Sequence, residues 1–293
     1  MFEGSTVALV TPFNRNGEID WATLEKLIEF HISNGTDCLL ACGTTGESAT
    51  LSHEEHKTLI KFMVEKVSKR IKVLAGTGSN STQEALELTE YAKAIGADGS
   101  LLITPYYNKP TQRGLYLHFE TIARKVDIPI VLYNVPSRTG VNLAAETVKD
   151  LSEIPNIVAV KEASGDLEQI TKIISYQSIT VLSGDDSLTF PIMALGGKGV
   201  ISVVGNVVPA KLKEMVKSAL EGEWDAARKI HYRLYPLFKI LFIETNPIPV
   251  KTALHRMGML ELTFRLPLCS MKEANREKLI KVLEELTVIN SDR

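Results

Sequence analysis

Short apolar runs rich in Val, Ile and Leu recur along the chain at intervals of about 20 to 35 residues, the alternation expected of βα units. They fall at 6–10, 38–41, 72–75, 100–103, 129–133, 157–160, 180–182 and 199–203. Most are unbroken rather than alternating, as parallel strands covered on both faces require. Amphipathic helical stretches lie between them. Asp20 stands before WATLEKLIEFHISN, which stops at Gly35. Ser52 with Glu55, and Ser81 with Glu84, have capping-box spacing, and the second of these helices ends near Gly96. Eight strand–helix repeats in about 205 residues predict an α/β fold of the (β/α)8 TIM-barrel type. The alternative is an open doubly wound sheet, but Val10-Thr11-Pro12-Phe13 after the first strand lacks its glycine fingerprint. Beyond Asn206 the pattern is helical: VPAKLKEMVKSALEG, EWDAARKIHYRLYPLFKILF, PIPVKTALHRMGM and MKEANREKLIKVLEEL. The expected organisation is a catalytic barrel over 1–206 and a C-terminal helical extension over 207–293. No flexible linker, low-complexity tract or long charge run divides them, so the extension should pack on the barrel.

Composition narrows the function. Of 293 residues, 44% are hydrophobic and 23% charged, which excludes a disordered chain. The formal charge of −2 gives no basic footprint for nucleic acid. The longest apolar runs are strand-sized, below the roughly 18 residues of a membrane span. Met1-Phe2-Glu3-Gly4 has neither a basic n-region nor an apolar h-region, so a cytoplasmic protein is expected. Cys38 and Cys42 lie in one strand-like run about 13 Å apart, too far for a disulfide. With Cys269 they read as small buried hydrophobes in a reducing compartment.

Chemistry in such a barrel sits at the C-terminal ends of the strands. Lys161 follows the buried run IVAV. A partly desolvated lysine at that depth has a depressed pKa and can attack a carbonyl to form a Schiff base. Tyr133 ends the fifth strand and Tyr107 follows the fourth; either phenol can transfer protons if a partner such as Thr44 holds it. Gly43-Thr44-Thr45-Gly46-Glu47 offers loop N–H groups and two hydroxyls, a nest suited to a carboxylate. Arg138, in Pro-Ser-Arg-Thr-Gly, can grip a second carboxylate with both arms of its guanidinium. For each there is a plainer reading: a solvated lysine at a strand end, tyrosines packed with wet hydroxyls, a common turn, a surface arginine. The six histidines avoid the strand ends. His53 and His56 share one helix face, which reads as solvated. Asp185-Asp186 reads as a helix cap rather than a cation site. No metal site is expected.

The motifs ALVTPF, GTTGES, AGTGSNST, TPYYNKPTQRGLY, YNVPSRTG, VKEASGD, LSGDDS, GVISV and ETNPIPVK run through essentially the whole chain. In them the chain resembles the dihydrodipicolinate synthase family of the pyruvate-dependent class I aldolases. GTTGE with the strand-six lysine marks the superfamily; YYNKP with YNVPSRTG is specific to the synthases. The resemblance implies condensation of pyruvate with (S)-aspartate 4-semialdehyde to 4-hydroxy-tetrahydrodipicolinate, which opens the diaminopimelate route to lysine. It implies that Lys161 forms the Schiff base and that Thr45 and neighbouring N–H groups hold the pyruvate carboxylate. Tyr133 would be the acid/base partner, linked through Thr44 to Tyr107, which enters the neighbouring subunit's site. Arg138 would bind the semialdehyde carboxylate, and the backbone at Gly184 and Ile201 would line the pyruvate end. No metal or organic cofactor is implied, and a homotetramer, a dimer of dimers, is. Feedback inhibition by lysine is implied at Ser48, Ala49, His53, His56, Asn80, Glu84 and Tyr106. The competing readings are N-acetylneuraminate lyase or a 2-keto-3-deoxy-sugar-acid aldolase of the same superfamily, and a non-catalytic small-molecule binder. Thr44-Thr45, Tyr107 and Arg138 together favour the synthase, and the presence of Lys161 and Tyr133 argues against the binder.

Overall fold

A computed structural model describes residues 1–289. In chain order the elements are β1 (Gly4–Ala8), α1 (Trp21–Ser33), β2 (Cys38–Ala41), α2 (His53–Val67), β3 (Lys72–Gly76), α3 (Thr82–Ala94), β4 (Gly99–Ile103), α4 (Gln112–Lys125), β5 (Ile130–Asn134), α5 (Pro136–Thr139), α6 (Ala145–Leu151), β6 (Ile157–Glu162), α7 (Leu167–Ser175), β7 (Thr180–Ser183), α8 (Thr189–Ala194), β8 (Gly199–Ser202), α9 (Pro209–Leu220), α10 (Trp224–Ile240), α11 (Ile248–Arg256) and α12 (Glu273–Glu285). Each strand pairs in parallel with the next, and β8 returns to β1, so the sheet closes into a TIM barrel as the strand–helix alternation predicts.

Strand boundaries differ from the expected ones in two places that matter. β1 begins earlier, because Gly4 and Ser5 pair with Gly199 and Val200, and it ends earlier, because Val10 N–H turns to the Asn206 side chain at 3.2 Å. β6 runs two residues further, through Lys161 and Glu162, which stay in the ladder opposite Tyr133 and Asn134. The reactive candidates are therefore strand residues, held by two neighbours, rather than loop residues.

The Ser52–Glu55 capping box forms in both directions, at 3.2 and 2.9 Å. The Ser81–Glu84 box forms in one only. Ser81 accepts from Glu84 N–H at 3.4 Å, but its own N–H goes to Ser79 Oγ, and the Glu84 carboxylate takes the Ser79 hydroxyl instead. A competing acceptor two residues upstream has taken over the second half of the motif.

Inward residues Ala8, Leu40, Leu74, Leu101, Val131 and Leu182 fill the barrel with a packed core. Outside it, Val7 and Val200 share one apolar cluster with Leu212, Phe238, Leu254 and Leu279 of α9 to α12. The last four positions of the 207–293 region lie outside the described residues. Cys38 and Cys42 are buried as expected, but Cys269 is exposed, because it sits on the loop before α12 rather than in a packed face. Among the described residues no helix is long and apolar enough to cross a membrane.

Candidate active site

Tyr133 and Lys161 are direct partners across β5 and β6. The strand period turns both side chains into the barrel, and Lys161 Nζ stands 4.1 Å from the centre of the Tyr133 ring. Lys161 is only 6% exposed. Burial away from water lowers its pKa from 10.5 to about 7; the nearby Asp186 carboxyl opposes the shift and Arg138 adds to it. Such an amine is neutral in a useful fraction near neutral pH. At the end of β7, a Cβ added to Gly184 would lie 3.1 Å from both Cγ and Cε of Lys161 and 2.7 Å from Ala163 Cβ. The lysine stem occupies the space a side chain there would need.

Burial pushes the Tyr133 phenol up to about 12, while Arg138 and a hydrogen bond with Thr44 oppose the rise. A phenol held protonated beside an amine of low pKa is arranged to donate and recover a proton.

The loop after β2 turns tightly on itself. Gly46 N–H bonds Gly43 O at 3.0 Å, Glu47 N–H bonds Thr44 O at 3.1 Å, and Glu47 adopts the left-handed conformation at φ 54°. Among the described residues, the N–H groups of Thr44 and Thr45 make no hydrogen bond within the chain. Both residues line the cavity, and N–H groups left open in such a turn can receive a carboxylate. Thr45 Oγ1 accepts from Asn246 Nδ2 at 3.0 Å, which leaves the hydroxyl proton to donate elsewhere. The carbonyl of the same Asn246 accepts from Arg138 Nη2 at 3.3 Å. Arg138 is exposed at the rim.

These groups surround a cavity of about 280 Å³ lined by Thr44, Thr45, Tyr133, Arg138, Lys161 and Gly184, with Phe238, Lys239 and Phe242 forming part of its wall. That volume suits a small polar substrate. Two candidates stand apart. Ile201 belongs to the barrel interior and not to the cavity wall. Tyr107 is 89% exposed, at φ 71°, and lines neither this cavity nor its neighbour.

The neighbouring cavity, about 510 Å³, shares Thr44, Tyr133, Arg138 and Asn246 with the first and extends to Ser48, Ala49, His53, His56, Glu84 and Tyr106. Asn80 is not part of its lining; its carbonyl accepts from Asn108 Nδ2 at 2.9 Å. His53 is exposed and pairs with Glu84 at 3.1 Å. His56 corrects the expectation of a solvated face: it is buried, with Nε2 against Gly76 O at 2.7 Å, and burial lowers its pKa. A ring nitrogen at that distance from a carbonyl must carry the proton.

Reading the strand ends missed three groups. Asn246, inside the motif ETNPIPVK, joins Thr45 to Arg138. Asp185 caps Ser187 as expected, but Asp186 is no cap. It is fully buried and accepts from the N–H groups of Val203 and Val204, each at 3.0 Å, and burial pushes its carboxyl up to about 6. Glu47 meets Lys251 at 2.5 Å with neither side chain exposed, which fastens the Thr44–Thr45 loop to α11. A lone Asn and a Lys some 200 residues from its partner carry no local signal. Among the described residues no group of three or more His, Cys, Asp or Glu is placed to hold a metal ion.

The model of the dihydrodipicolinate synthetase family matches residues 1–286. The chain belongs to that family. It is 58% identical over 288 residues to a 4-hydroxy-tetrahydrodipicolinate synthase of Aquifex aeolicus (strain VF5), covering 97% of this chain and 98% of that protein. The crystal structure of dihydrodipicolinate synthase from Aquifex aeolicus superposes with a TM-score of 0.96 at 57% identity, covering 98% and 99% of the two chains. A dihydrodipicolinate synthase from Cyanidioschyzon merolae, solved with lysine bound, gives a TM-score of 0.96 at 41% identity, covering 98% and 99%.

Proposed function

We propose that the chain condenses pyruvate with (S)-aspartate 4-semialdehyde to give 4-hydroxy-tetrahydrodipicolinate, through a Schiff base on Lys161. The observation that carries this reading is the buried Lys161 amine, its pKa near 7, stacked on Tyr133 in one cavity with a loop whose Thr44 and Thr45 N–H groups are open. The neutral amine adds to the keto carbon of pyruvate, and loss of water leaves the imine. The pyruvate carboxylate rests on Thr44 and Thr45 N–H and the Thr45 hydroxyl. Loss of a methyl proton gives the enamine, whose carbon attacks the aldehyde while the Tyr133 hydroxyl protonates the aldehyde oxygen. Arg138 at the rim takes the carboxylate of the semialdehyde. Attack of that substrate's own amine on the imine carbon releases Lys161 and closes the ring. The imine is the electron sink, so the chemistry calls for no metal or organic cofactor.

Thr44 already meets Tyr133 within one chain, whereas Tyr107 points outward. This supports a homo-oligomer in which Tyr107 completes the relay in a second copy, as a dimer or a dimer of dimers. The cavity lined by Ser48, His53, His56 and Glu84 supports lysine as an inhibitor, with Glu84 facing its ammonium groups, and Asn80 joining only through the same loop. The location is read as the cytoplasm.

The test is a coupled assay with pyruvate, aspartate semialdehyde, the downstream reductase and NADPH. Turnover that slows on adding millimolar lysine supports both readings, and unchanged rates remove the inhibitory site. Borohydride trapping of pyruvate on Lys161 without turnover means that the acceptor is wrong, and sugar-acid aldolase substrates are then the second reading.

A further inference from the structure

The pairing of β5 with β6 carries an irregularity upstream of the reactive pair. Ile130 stands opposite Ile157, but Val131 stands opposite Ala159, so Val158 is an extra residue in β6. After a bulge the register must be set again. A slip of one residue would turn Lys161 out of the barrel and bring Glu162 in.

The next pair along the ladder after Tyr133 and Lys161 is Asn134 and Glu162. These two side chains lie on the outer face of the same ribbon and are fully buried. Asn134 Nδ2 donates to both Glu162 carboxylate oxygens, at 3.1 and 3.3 Å. Gln169 Nε2 of α7 adds a bond at 3.0 Å and Ser164 N–H another at 2.9 Å. The N–H partners of Glu162 are all donors, and the Ser164 hydroxyl beside them can donate as well. Burial raises its pKa, but an all-donor shell favours the ionised form, because a protonated carboxyl would point a hydrogen at N–H groups. The orientation of Asn134 is fixed in turn, since its Oδ1 accepts from Leu143 N–H at 2.9 Å. Asn142 closes the ring by accepting from Asn134 at 2.8 Å and donating to Gln169 Oε1 at 2.7 Å.

We infer that the Asn134–Glu162 clasp is a positioning device for the Schiff-base reaction: it locks the β5–β6 register beyond the bulge and so holds Tyr133 over Lys161. Neither residue touches substrate; both act through the strand ends that carry the reactive pair. Opposite partners in a ladder are the pairs that fix register, and a clasp one residue downstream of the reactive pair confines both strands where side-chain direction matters most.

The inference rests on Lys161 and Tyr133 being the reactive pair, and the experiment separates the two. Wild-type protein is first trapped with pyruvate and borohydride, and the modified residue is located; label elsewhere than Lys161 removes the proposed function itself. Glu162→Gln is then compared with wild type. Its amide N–H₂ faces donors, so the clasp opens. The expected result is a fall of about 10- to 100-fold in the imine-trapping rate and in kcat, the scale of an ångström-sized misplacement, with pyruvate KM changed less than about threefold. Adding Asn134→Asp to Glu162→Gln restores a donor–acceptor pair with the roles exchanged, and should recover part of the loss. In a Tyr133→Phe background, Glu162→Gln should cost much less than it does alone, because the alignment it protects is already without function. Full-rate Glu162→Gln, no recovery in the exchanged pair, or an equal loss in the Tyr133→Phe background would each overturn the inference. Asn134→Ala leaves Glu162 its bonds from Gln169 and Ser164, and serves the same comparison should Glu162→Gln not accumulate as folded protein.

Discussion

Two lysines lie buried in this barrel, and they have opposite surroundings. Lys251, on α11, is fully enclosed and bonds Glu47 Oε1 at 2.5 Å and the Thr263 carbonyl at 2.7 Å. It also lies 4.5 Å from the Phe13 ring centre and 5.0 Å from that of Phe264. Burial lowers its pKa, the Glu47 carboxylate opposes that directly, and the nitrogen is occupied by its two acceptors. Lys161 is almost as deeply buried and has the Tyr133 ring beneath it, but its nearest opposing charge is Asp186, whose carboxylate is already committed to Ser202 and two backbone N–H groups. Depth alone therefore does not make a lysine reactive. What separates the two is whether an acceptor has been placed on the nitrogen. One lysine fastens the Thr44–Thr45 loop, and the other is left without an acceptor inside the cavity that loop lines.

The sharpest way to break this comparison is to truncate each lysine to Met. Lys161→Met should lose turnover by about 10⁴-fold or more, since the covalent route disappears, while the thermal midpoint holds or rises because a poorly solvated amine has gone. Lys251→Met should do the reverse to stability. It strands the Glu47 carboxylate in an apolar interior, a loss of about 3–5 kcal/mol read from the denaturant midpoint. Adding Glu47→Gln should return most of that stability. Equal stability losses in the two lysine variants would mean that both are structural.

How much of this was legible in the chain depends on the range of the interaction. The barrel could be read because each βα unit announces itself locally through an apolar run and a cap. Lys161, Tyr133, Thr44, Thr45 and Arg138 could be read because strand ends face the mouth, and the structure brings all five to one cavity. Asn246 and the Glu47–Lys251 pair could not, since their meaning comes from partners about 200 positions away. Asp186 looked like a cap because its neighbour Asp185 is one. The second half of the Ser81–Glu84 box failed for a local reason, the presence of Ser79 as a better-placed acceptor. Cys269 failed because burial was inferred from residue type alone.

The comparison also predicts a pH signature in the imine-trapping rate that belongs to Lys161. Its folded pKa is about 7 against an ordinary 10.5. The rate of imine trapping with pyruvate should therefore climb through pH 7 and level off above it, and be about tenfold below the plateau at pH 6. Stability moves the same way. Between about pH 7 and 10.5 the unfolded chain holds a proton on this group that the folded chain has shed, so folding gains from Lys161 as pH rises through that window. Below pH 7 both states are protonated, and the full cost of the buried charge is present. Lys161→Met should flatten this part of the pH–stability curve, and an unchanged slope would mean that another group sets it.

The smallest effect should come from the wall behind the lysine stem. A methyl group at Gly184 would meet Ala163 Cβ at 2.7 Å and the Lys161 chain at 3.1 Å. The lysine is flexible and can yield by a rotamer adjustment, whereas Ala163 is anchored through its N–H to Asn134 O at 2.9 Å. Gly184→Ala should therefore push the amine off its place over Tyr133, and the unyielding Ala163 contact should also shift β7 locally. The expected loss is about 3- to 10-fold in trapping rate, with a stability loss of about 1–3 kcal/mol from the overpacked contact with Ala163. A control bears on the comparison itself: the same substitution made in Lys161→Met protein should alter stability less, because the shorter, softer methionine can give way. If Gly184→Ala destabilised both backgrounds equally, the glycine would be serving the packing of β7 against Ala163, and the space around the reactive lysine would have to be credited to Tyr133 alone.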